Sequence, residues 1–421
     1  MFQKIKNFLY FPLAHYFRFF AKNKLARWKP RIIVVTGSSG KTTLLHLLEA
    51  QLGEKACYSH HANSSYGIPF DILGHSRRTL MFYEWFALFL KTPFLTFSKV
   101  PKQKIYIVEA DCDRPGEGKF LSTLLAPEVT IWLSSSRTHS MNFDKLIDQG
   151  KFKNVEEAIT NEYGYFLEAT GKLAIVNSDS ELINKQLPRY QAKKIEISNK
   201  SLQKYEVSKG GSTFKINNNA YKFKFLLPEA TSYSILAALT LTEYVNLPPD
   251  TSFQKFKMPP GRSSIFKGIK NTIIVDSSYN SNFESASEII NMFNKIGAGK
   301  KWAVAGDMLE QGKEEEEEHK KLANLIVASN YERVVLLGPR IIGHGLEILK
   351  KHYGDNVVAF MFPGEVLDYL KDNLAGGEMI LFKGARFLEG VIENLLENKE
   401  DAAKLARREK VWEIRRRKWD L

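Results

Sequence analysis

Cysteine is nearly missing from this chain: Cys57 and Cys112 are the two it has in 421 residues. Two cysteines cannot build a disulfide framework, so the expectation is a reducing, cytoplasmic compartment. No run of 18 uncharged apolar residues occurs, which argues against a spanning helix. The N-terminus lacks the small-residue cleavage pattern of a secretory signal. Acidic residues are absent before Glu49, whereas residues 1–48 carry nine lysines and arginines. Residues 401–421 carry eight basic and four acidic residues. The two ends therefore hold the whole net charge of +13, and the body between them is neutral. Basic ends meet phosphate, either of nucleic acid or of anionic lipid.

What is present is a globular composition, 44% hydrophobic and 25% charged, which excludes disorder over most of the chain. At about 100–200 residues per domain, the length allows two or three domains. Residues 1–29 form a basic, aromatic segment containing Phe8, Phe11, Tyr16, Phe17, Phe19 and Phe20, broken once by Pro12. Two readings stay open for it. Its rings can lie in a membrane interface with the cations at lipid headgroups, or it can be a helix packed on the protein's own body.

From Pro30 onward the texture is strand, turn, helix. Short β-rich runs occur at Arg31–Val35, Lys104–Val108, Val129–Leu133, Leu173–Val176, Thr272–Val275, Trp302–Ala305, Arg333–Leu337, Val357–Met361 and Met379–Phe382. Helical segments lie between most of them, which predicts an α/β fold with mainly parallel sheets and covered faces. The pattern restarts after Met258-Pro259-Pro260-Gly261, which places a domain boundary there. The expected organisation is a P-loop central domain over 30–257, a C-terminal Rossmann-like α/β domain over 258–400 and a basic helical tail over 401–421. Residues 198–228, with Gly210-Gly211 and Asn217-Asn218-Asn219, read as β-hairpins decorating the first domain.

Thr36-Gly37-Ser38-Ser39-Gly40-Lys41-Thr42-Thr43 follows a predicted strand and opens a predicted helix. Glycines let backbone N–H groups turn toward phosphate oxygens, and the helix N-terminus adds partial positive charge. Lys41 can reach the terminal phosphates of ATP, and the Thr42 hydroxyl can hold Mg²⁺. The position five residues before Gly40 is Val35, so this is a shorter T-G-x-x-G-K-T loop. Glu109 and Asp111 close the run Ile105–Val108, where ligands of open α/β sheets sit, and Glu109 is the candidate metal ligand. His139 follows another strand in Ser134–His139; on spacing alone it reads first as an exposed loop histidine. Arg262 sits on a turn, where an arginine can stabilise charge on a transferring phosphoryl group. Asp276, Asn280 and Asn282 fit either an adenine edge or ordinary turn chemistry.

Taken in order, these pieces resemble the Mur ligase family over about residues 30–400. The stretches that carry the likeness are TGSSGKTT at 36–43, ANSSYGIP at 62–69, VEADCDRPGE at 108–117, GKLAIVNSDSE at 171–181, PPGRSS at 259–264, VDSSYNSNFES at 275–285, AVAGDMLEQG at 303–312 with His319, and FKGAR at 382–386. The members most similar add D-alanyl-D-alanine to a muramoyl tripeptide. The resemblance implies an ATP-dependent carboxylate–amine ligase working through an acyl phosphate. It implies that Gly37, Ser38, Ser39, Gly40, Lys41, Thr42 and Thr43 cradle ATP, and that Thr42 and Glu109 hold Mg²⁺, with His139 serving a second ion. Arg262 would meet the terminal phosphate across the domain cleft, and Asp276, Asn280 and Asn282 would line the nucleotide site. Ala62–Pro69 would sit near the acceptor.

The chain departs from the family pattern at three places. The family's carbamylated lysine, some twenty residues past the histidine, falls between Asn161 and Tyr163 here, where there is no lysine and Glu162 offers a substitute carboxylate. Ser134 stands near the family's asparagine. About thirty basic, aromatic residues stand where the family has a domain that grips UDP, too few to bury a core of that kind. An apolar insertion, Thr79–Leu90 continued by Pro93 to Phe97, reads either as a lid or membrane-facing hairpin or as packing for the N-terminal segment. The expected partners are ATP and peptidyl or amino-acid substrates, with peripheral contact to the inner membrane face. Nucleic acid is disfavoured and a monomer is favoured. The alternative reading is a nucleotide-binding scaffold that has lost ligation.

Overall fold

The computed structural model describes residues 2–60, 62–75, 83–297 and 299–417, with side chains described from Leu9 onward. The chain forms two compact units. The first comprises Met1–Ser136, Lys145–Asn199 and Tyr233–Lys257; the second comprises Arg137–Asp144, Lys200–Ser232 and Met258–Leu421.

The first unit is built on six strands: β1 (Arg31–Thr36), β2 (Ala56–Tyr58), β3 (Ile105–Glu109), β4 (Val129–Trp132), β5 (Leu173–Asn177) and β6 (Lys193–Ile197). They pair in the order β2-β3-β1-β4-β5-β6, all parallel. Strands β4 and β5 are buried along their whole length, as are β1 and β3 beyond their first residue. Burial on both faces is why they read as unbroken apolar runs rather than alternating ones. β6 is the polar edge. β1 lies between β3 and β4, so the chain reverses direction across the sheet there. The crevice at the strand C-terminal ends opens at that point.

Three helices set the surroundings of that crevice: α2 (Lys41–Leu52), α3 (Gly67–Leu73) and α5 (Glu117–Leu125). Two others, α1 (Phe2–Trp28) and α4 (Glu84–Thr96), pack on this unit. Of the two readings open for the N-terminal segment, α1 shows packing on the body. A stripe of Ala14, Phe17, Ala21, Leu25 and Trp28 is buried, at helical spacing. The Phe17 ring meets Phe70 at 4.8 Å and Phe89 at 4.9 Å. Lys24 Nζ donates to Leu73 O and Ser98 Oγ at 2.9 Å, and Trp28 Nε1 donates to Gln103 O at 2.7 Å. α4 contains Pro93, whose missing N–H leaves the Phe89 carbonyl without its helical donor. Tyr16 OH donates to that carbonyl at 2.8 Å, so α1 repairs the defect in α4. Thr79–Phe82 of the apolar insertion lie outside the described residues.

The second unit carries a six-stranded sheet of β10 (Ser264–Gly268), β11 (Thr272–Ser277), β12 (Lys301–Gly306), β13 (Arg333–Leu337), β14 (Val357–Phe360) and β15 (Met379–Lys383). Its order is β10-β11-β15-β12-β13-β14, with β10 antiparallel and the rest parallel. Apolar clusters cover both faces, one centred on Phe293 and Leu336 and the other on Phe382 and Val391. A separate antiparallel sheet, β7 (Leu202–Ser208), β8 (Gly211–Ile216) and β9 (Asn219–Phe223), holds the expected hairpins. Asn217 and Asn218 both take positive φ, 48° and 68°, as a tight two-residue turn requires. These hairpins belong to the second unit rather than decorating the first. Val207 packs on its core, and Lys295 sits 4.9 Å over the Tyr205 ring. The tail's arginines are likewise tied down: Arg407 and Arg416 approach the buried Glu389 at 3.2 and 3.9 Å, and Arg408 meets Glu393 at 2.8 Å.

Candidate functional site

The loop after β1 turns because two of its residues can only be glycine. Gly37 has φ 129°, and a Cβ there would lie 2.7 Å from the Ser134 carbonyl oxygen. Gly40, at φ 81°, is the residue from which α2 starts. The first-turn N–H groups of α2 have no acceptor within the helix itself, and the C-terminal ends of β1 and β3 lie beside them, which is the standard physical basis of anion binding. Lys41 opens α2 with its side chain buried, although ammonium groups rarely are. Its Nζ donates to Gly37 O and pairs with Asp111 Oδ2 at 2.8 Å. Thr42 Oγ1 donates to Glu109 Oε2 at 2.9 Å. The buried Glu109 is held in place by its own N–H, which donates to Ser59 Oγ at 2.9 Å. Thr42 and Glu109 are hard oxygen donors side by side at a strand end, which is the donor chemistry Mg²⁺ takes.

Asp111 joins the loop to two further segments. Tyr163 OH donates to its Oδ1 at 2.7 Å, and its backbone N–H donates to Asn63 O at 2.8 Å. Burial, reinforced by Asp111, pushes the Tyr163 phenol well above its ordinary pKa, so it stays protonated and donates. Asn63 belongs to the Ala62–Pro69 stretch, so that stretch is tethered to the carboxylate that holds Lys41. On the other side of the loop, Ser39 N donates to Ser134 Oγ and Ser38 Oγ to Ser136 O, both at 2.8 Å. Ser134, the residue near the expected asparagine, thus braces the phosphate loop.

Glu162 does not offer its carboxylate as a metal ligand. Its two oxygens accept from Gly116 N and Gly118 N, each at 2.9 Å, and so cap the start of α5. Burial outweighs these two bonds and raises its pKa. Gly118 admits this contact because a Cβ there would fall 2.0 Å from the Glu162 carbonyl oxygen.

The remaining candidates lie in the second unit. His139, at φ 49°, pairs through Nδ1 with Glu310 Oε2 at 2.5 Å. Arg262 stacks 4.6 Å over the Tyr279 ring. Asp276 is fully buried. Its Oδ1 accepts from Ser278 N at 2.9 Å and Ser278 Oγ at 2.6 Å, while burial raises its pKa. Asn280 Oδ1 accepts from Ser281 N at 2.8 Å. Asn282 caps helix Phe283–Lys295 through Ser285 N and donates to Arg137 O at 2.9 Å. Lys383 lies in the FKGAR stretch, where nothing in the local sequence pattern marks its role. The structure buries its ammonium among Asn280 O at 2.7 Å and Ser285 Oγ at 3.2 Å, and burial, then Arg262, brings its pKa down to about 7.

His319 orders the loop after β12. Met308 N donates to its Nε2 at 3.0 Å, and Nδ1 lies 2.7 Å from Glu315 O, a pattern that requires the neutral ring protonated on Nδ1. Burial holds its pKa below the ordinary 6.5. A group of this sign costs nothing while both states are neutral. Stability is lost as pH falls below about 6.5, where the unfolded chain takes the proton first, until the folded value is reached. The slope is at most about 1.4 kcal/mol per pH unit. Urea midpoints compared for the parent and His319→Gln should diverge less at pH 5.5 than at pH 7.5.

Together these features define a P-loop α/β protein with a second Rossmann-like unit. Its family follows from comparison. The Mur ligase middle domain matches residues 35–242, and the Mur ligase glutamate ligase domain matches residues 261–386. The chain belongs to the Mur ligase family. It is 26% identical over 395 residues to the UDP-N-acetylmuramoyl-tripeptide–D-alanyl-D-alanine ligase of Bacillus subtilis, covering 90% of this chain and 78% of that one. The Escherichia coli ligase of the same name is 23% identical over 399 residues, covering 90% and 80%. Among solved structures, MurF of Thermotoga maritima in complex with ADP aligns with a TM-score of 0.70 and 21% identity, covering 96% of this chain and 84% of that one. MurF of Acinetobacter baumannii aligns at 0.72 and 17%, covering 90% and 79%.

Proposed function

We propose that this protein is an ATP-dependent ligase that joins D-alanyl-D-alanine to the terminal carboxylate of a muramoyl-tripeptide precursor, in the cytoplasm at the inner face of the membrane. The observation that carries the reading is the pair of contacts Lys41–Asp111 and Thr42–Glu109 at the mouth of the phosphate loop, in a chain with both Mur ligase domains. In this reading the acceptor carboxylate attacks the terminal phosphorus of ATP, ADP leaves, and an acyl phosphate forms. The dipeptide amine then attacks the acyl carbon, loses a proton, and phosphate departs as the amide forms. The loop N–H groups and Lys41 neutralise charge on the phosphates and hold the transferring group in line. Thr42 and Glu109 would hold Mg²⁺, which would offset negative charge on the phosphates. Arg262 and His139 are assigned to the terminal phosphate and a second ion on the family pattern, and Asp276, Asn280 and Asn282 to the nucleotide. Asn63, tethered to Asp111, supports placing the acceptor beside Lys41.

The test is incubation with ATP, Mg²⁺, UDP-N-acetylmuramoyl-tripeptide and D-alanyl-D-alanine. Phosphate should appear only when acceptor and dipeptide are both present, with a product heavier by the dipeptide less one water. Tight ATP binding with no product, or phosphate release independent of acceptor, would overturn the reading.

A further inference from the structure

Helix α4 keeps a second apolar face turned to water. Its buried stripe is Leu88, Thr92 and Thr96, spaced four residues apart. Thr92 Oγ1 donates to Leu88 O at 2.7 Å and Thr96 Oγ1 to Thr92 O at 3.0 Å, so both hydroxyls are satisfied against their own helix. The opposite face carries Phe86, Leu90, Phe94 and Phe97, which are 73, 57, 79 and 76% exposed. Soluble helices place their large apolar side chains on the packed side. Here the packed side has Leu88, Phe89 and two threonines, while four large apolar side chains face the solvent. A contiguous exposed patch of this kind marks an interaction surface.

Charge around the patch selects its occupant. No acidic residue lies between Glu84 and Glu109, while Lys91, Lys99, Lys102 and Lys104 are all exposed. From α1, the Arg27 guanidinium sits 6.0 Å from the Phe97 ring centroid and bonds Thr96 O at 2.5 Å, which fixes a cation at the patch edge. A second copy docking through this face about a two-fold axis would bring cations against cations. A bilayer with anionic headgroups complements both the rings and the rim. We infer that the face of α4 is a docking surface for an anionic lipid bilayer, with Phe86, Leu90, Phe94 and Phe97 entering the acyl boundary and Arg27 and Lys91 at the phosphates. α4 is too short to span, and among the described residues no helix is long and apolar enough to do so.

The surface has a consequence for the ligase reading, on which this step alone rests. Trp85 of α4 packs edge-on against Tyr66 at 5.3 Å, and Tyr66 lies in the Ala62–Pro69 stretch assigned to the acceptor. Docking would hold that stretch close to the lipid surface, suiting an acceptor delivered there.

Flotation of the full chain with vesicles of phosphatidylcholine, with and without 30% phosphatidylglycerol, tests the inference. The protein should float with the anionic vesicles, and Phe94→Ser/Phe97→Ser should lower the bound fraction at least tenfold. Arg27→Gln/Lys91→Gln should remove the preference for anionic lipid while leaving the variant folded by circular dichroism. Phosphate release with soluble acceptor should be unchanged in Phe94→Ser/Phe97→Ser, which separates docking from catalysis. Absence of flotation, equal flotation of the serine variant, or a concentration-dependent dimer abolished by the same two substitutions would overturn the inference.

Discussion

Lys41→Met will reduce ATP-dependent product formation by roughly 10²–10³-fold, the usual cost of removing one charge-stabilising group from a transferring phosphoryl. It will also destabilise the first unit. The ammonium is buried 2.8 Å from Asp111 Oδ2, and removing one partner of a buried pair costs about 3–5 kcal/mol, because the other charge stays in a poor solvent. The two effects are separable. Asp111→Asn keeps an acceptor for Tyr163 OH at 2.7 Å and discharges the site. The double variant Lys41→Met/Asp111→Asn should therefore recover most of the lost stability and none of the turnover. Urea midpoints and phosphate release measured on all four proteins decide it. Turnover within tenfold of the parent in Lys41→Met would mean that the lysine is a structural cation and not a phosphate ligand.

That cycle turns on a residue whose importance the sequence did not disclose. Lys41, Thr42 and Glu109 were legible because a phosphate loop needs glycines at set spacings and because strand ends announce themselves by apolar runs. Asp111 was visible as a carboxylate at a strand end, but its partners were not, since Tyr163 lies 52 residues away and no local pattern links them. Glu162 failed in the opposite way. Its position suggested a ligand, whereas its oxygens cap α5 from 44 and 46 residues away. The same physics governs the fold. The nine apolar runs became strands because both faces of their sheets are covered. β2 is only three residues long; β6, Lys193-Lys194-Ile195-Glu196-Ile197, buries one residue; and β10 is an antiparallel edge strand. None of these has a periodic signal to find. In α4 the apolar content was plain, but a helix apolar on every side does not say which face packs, and the structure buries Leu88 with Thr92 and Thr96.

Asp307 is where the largest structural loss in the second unit is expected. It follows β12, fully buried, and its carboxylate ties the segments after β13 and β15 to its own. Oδ1 accepts from Arg340 N and Ile341 N, both at 3.0 Å, which caps helix Pro339–Tyr353; Oδ2 accepts from Arg386 Nε at 2.9 Å. Gly338 is obligatory beside it, since a Cβ there would lie 2.7 Å from Asp307 Cγ. Asp307→Ala strips the acceptor from two N–H groups at a helix N-terminus and the anion from Arg386. At about 1–3 kcal/mol for each buried donor left unmet, the loss is about 3 kcal/mol or more. Part of the Arg386 term is recovered because that side chain is 30% exposed and regains water. Asp307→Asn keeps an oxygen for both N–H groups and gives up only the charge that favours a helix N-terminus and the ion pair, so it should cost about 1 kcal/mol. The order of the two variants is the decisive result. Equal urea midpoints for alanine and asparagine would mean that the cap contributes nothing, and that the ends of β12, β13 and β15 are held together by their packed strands alone.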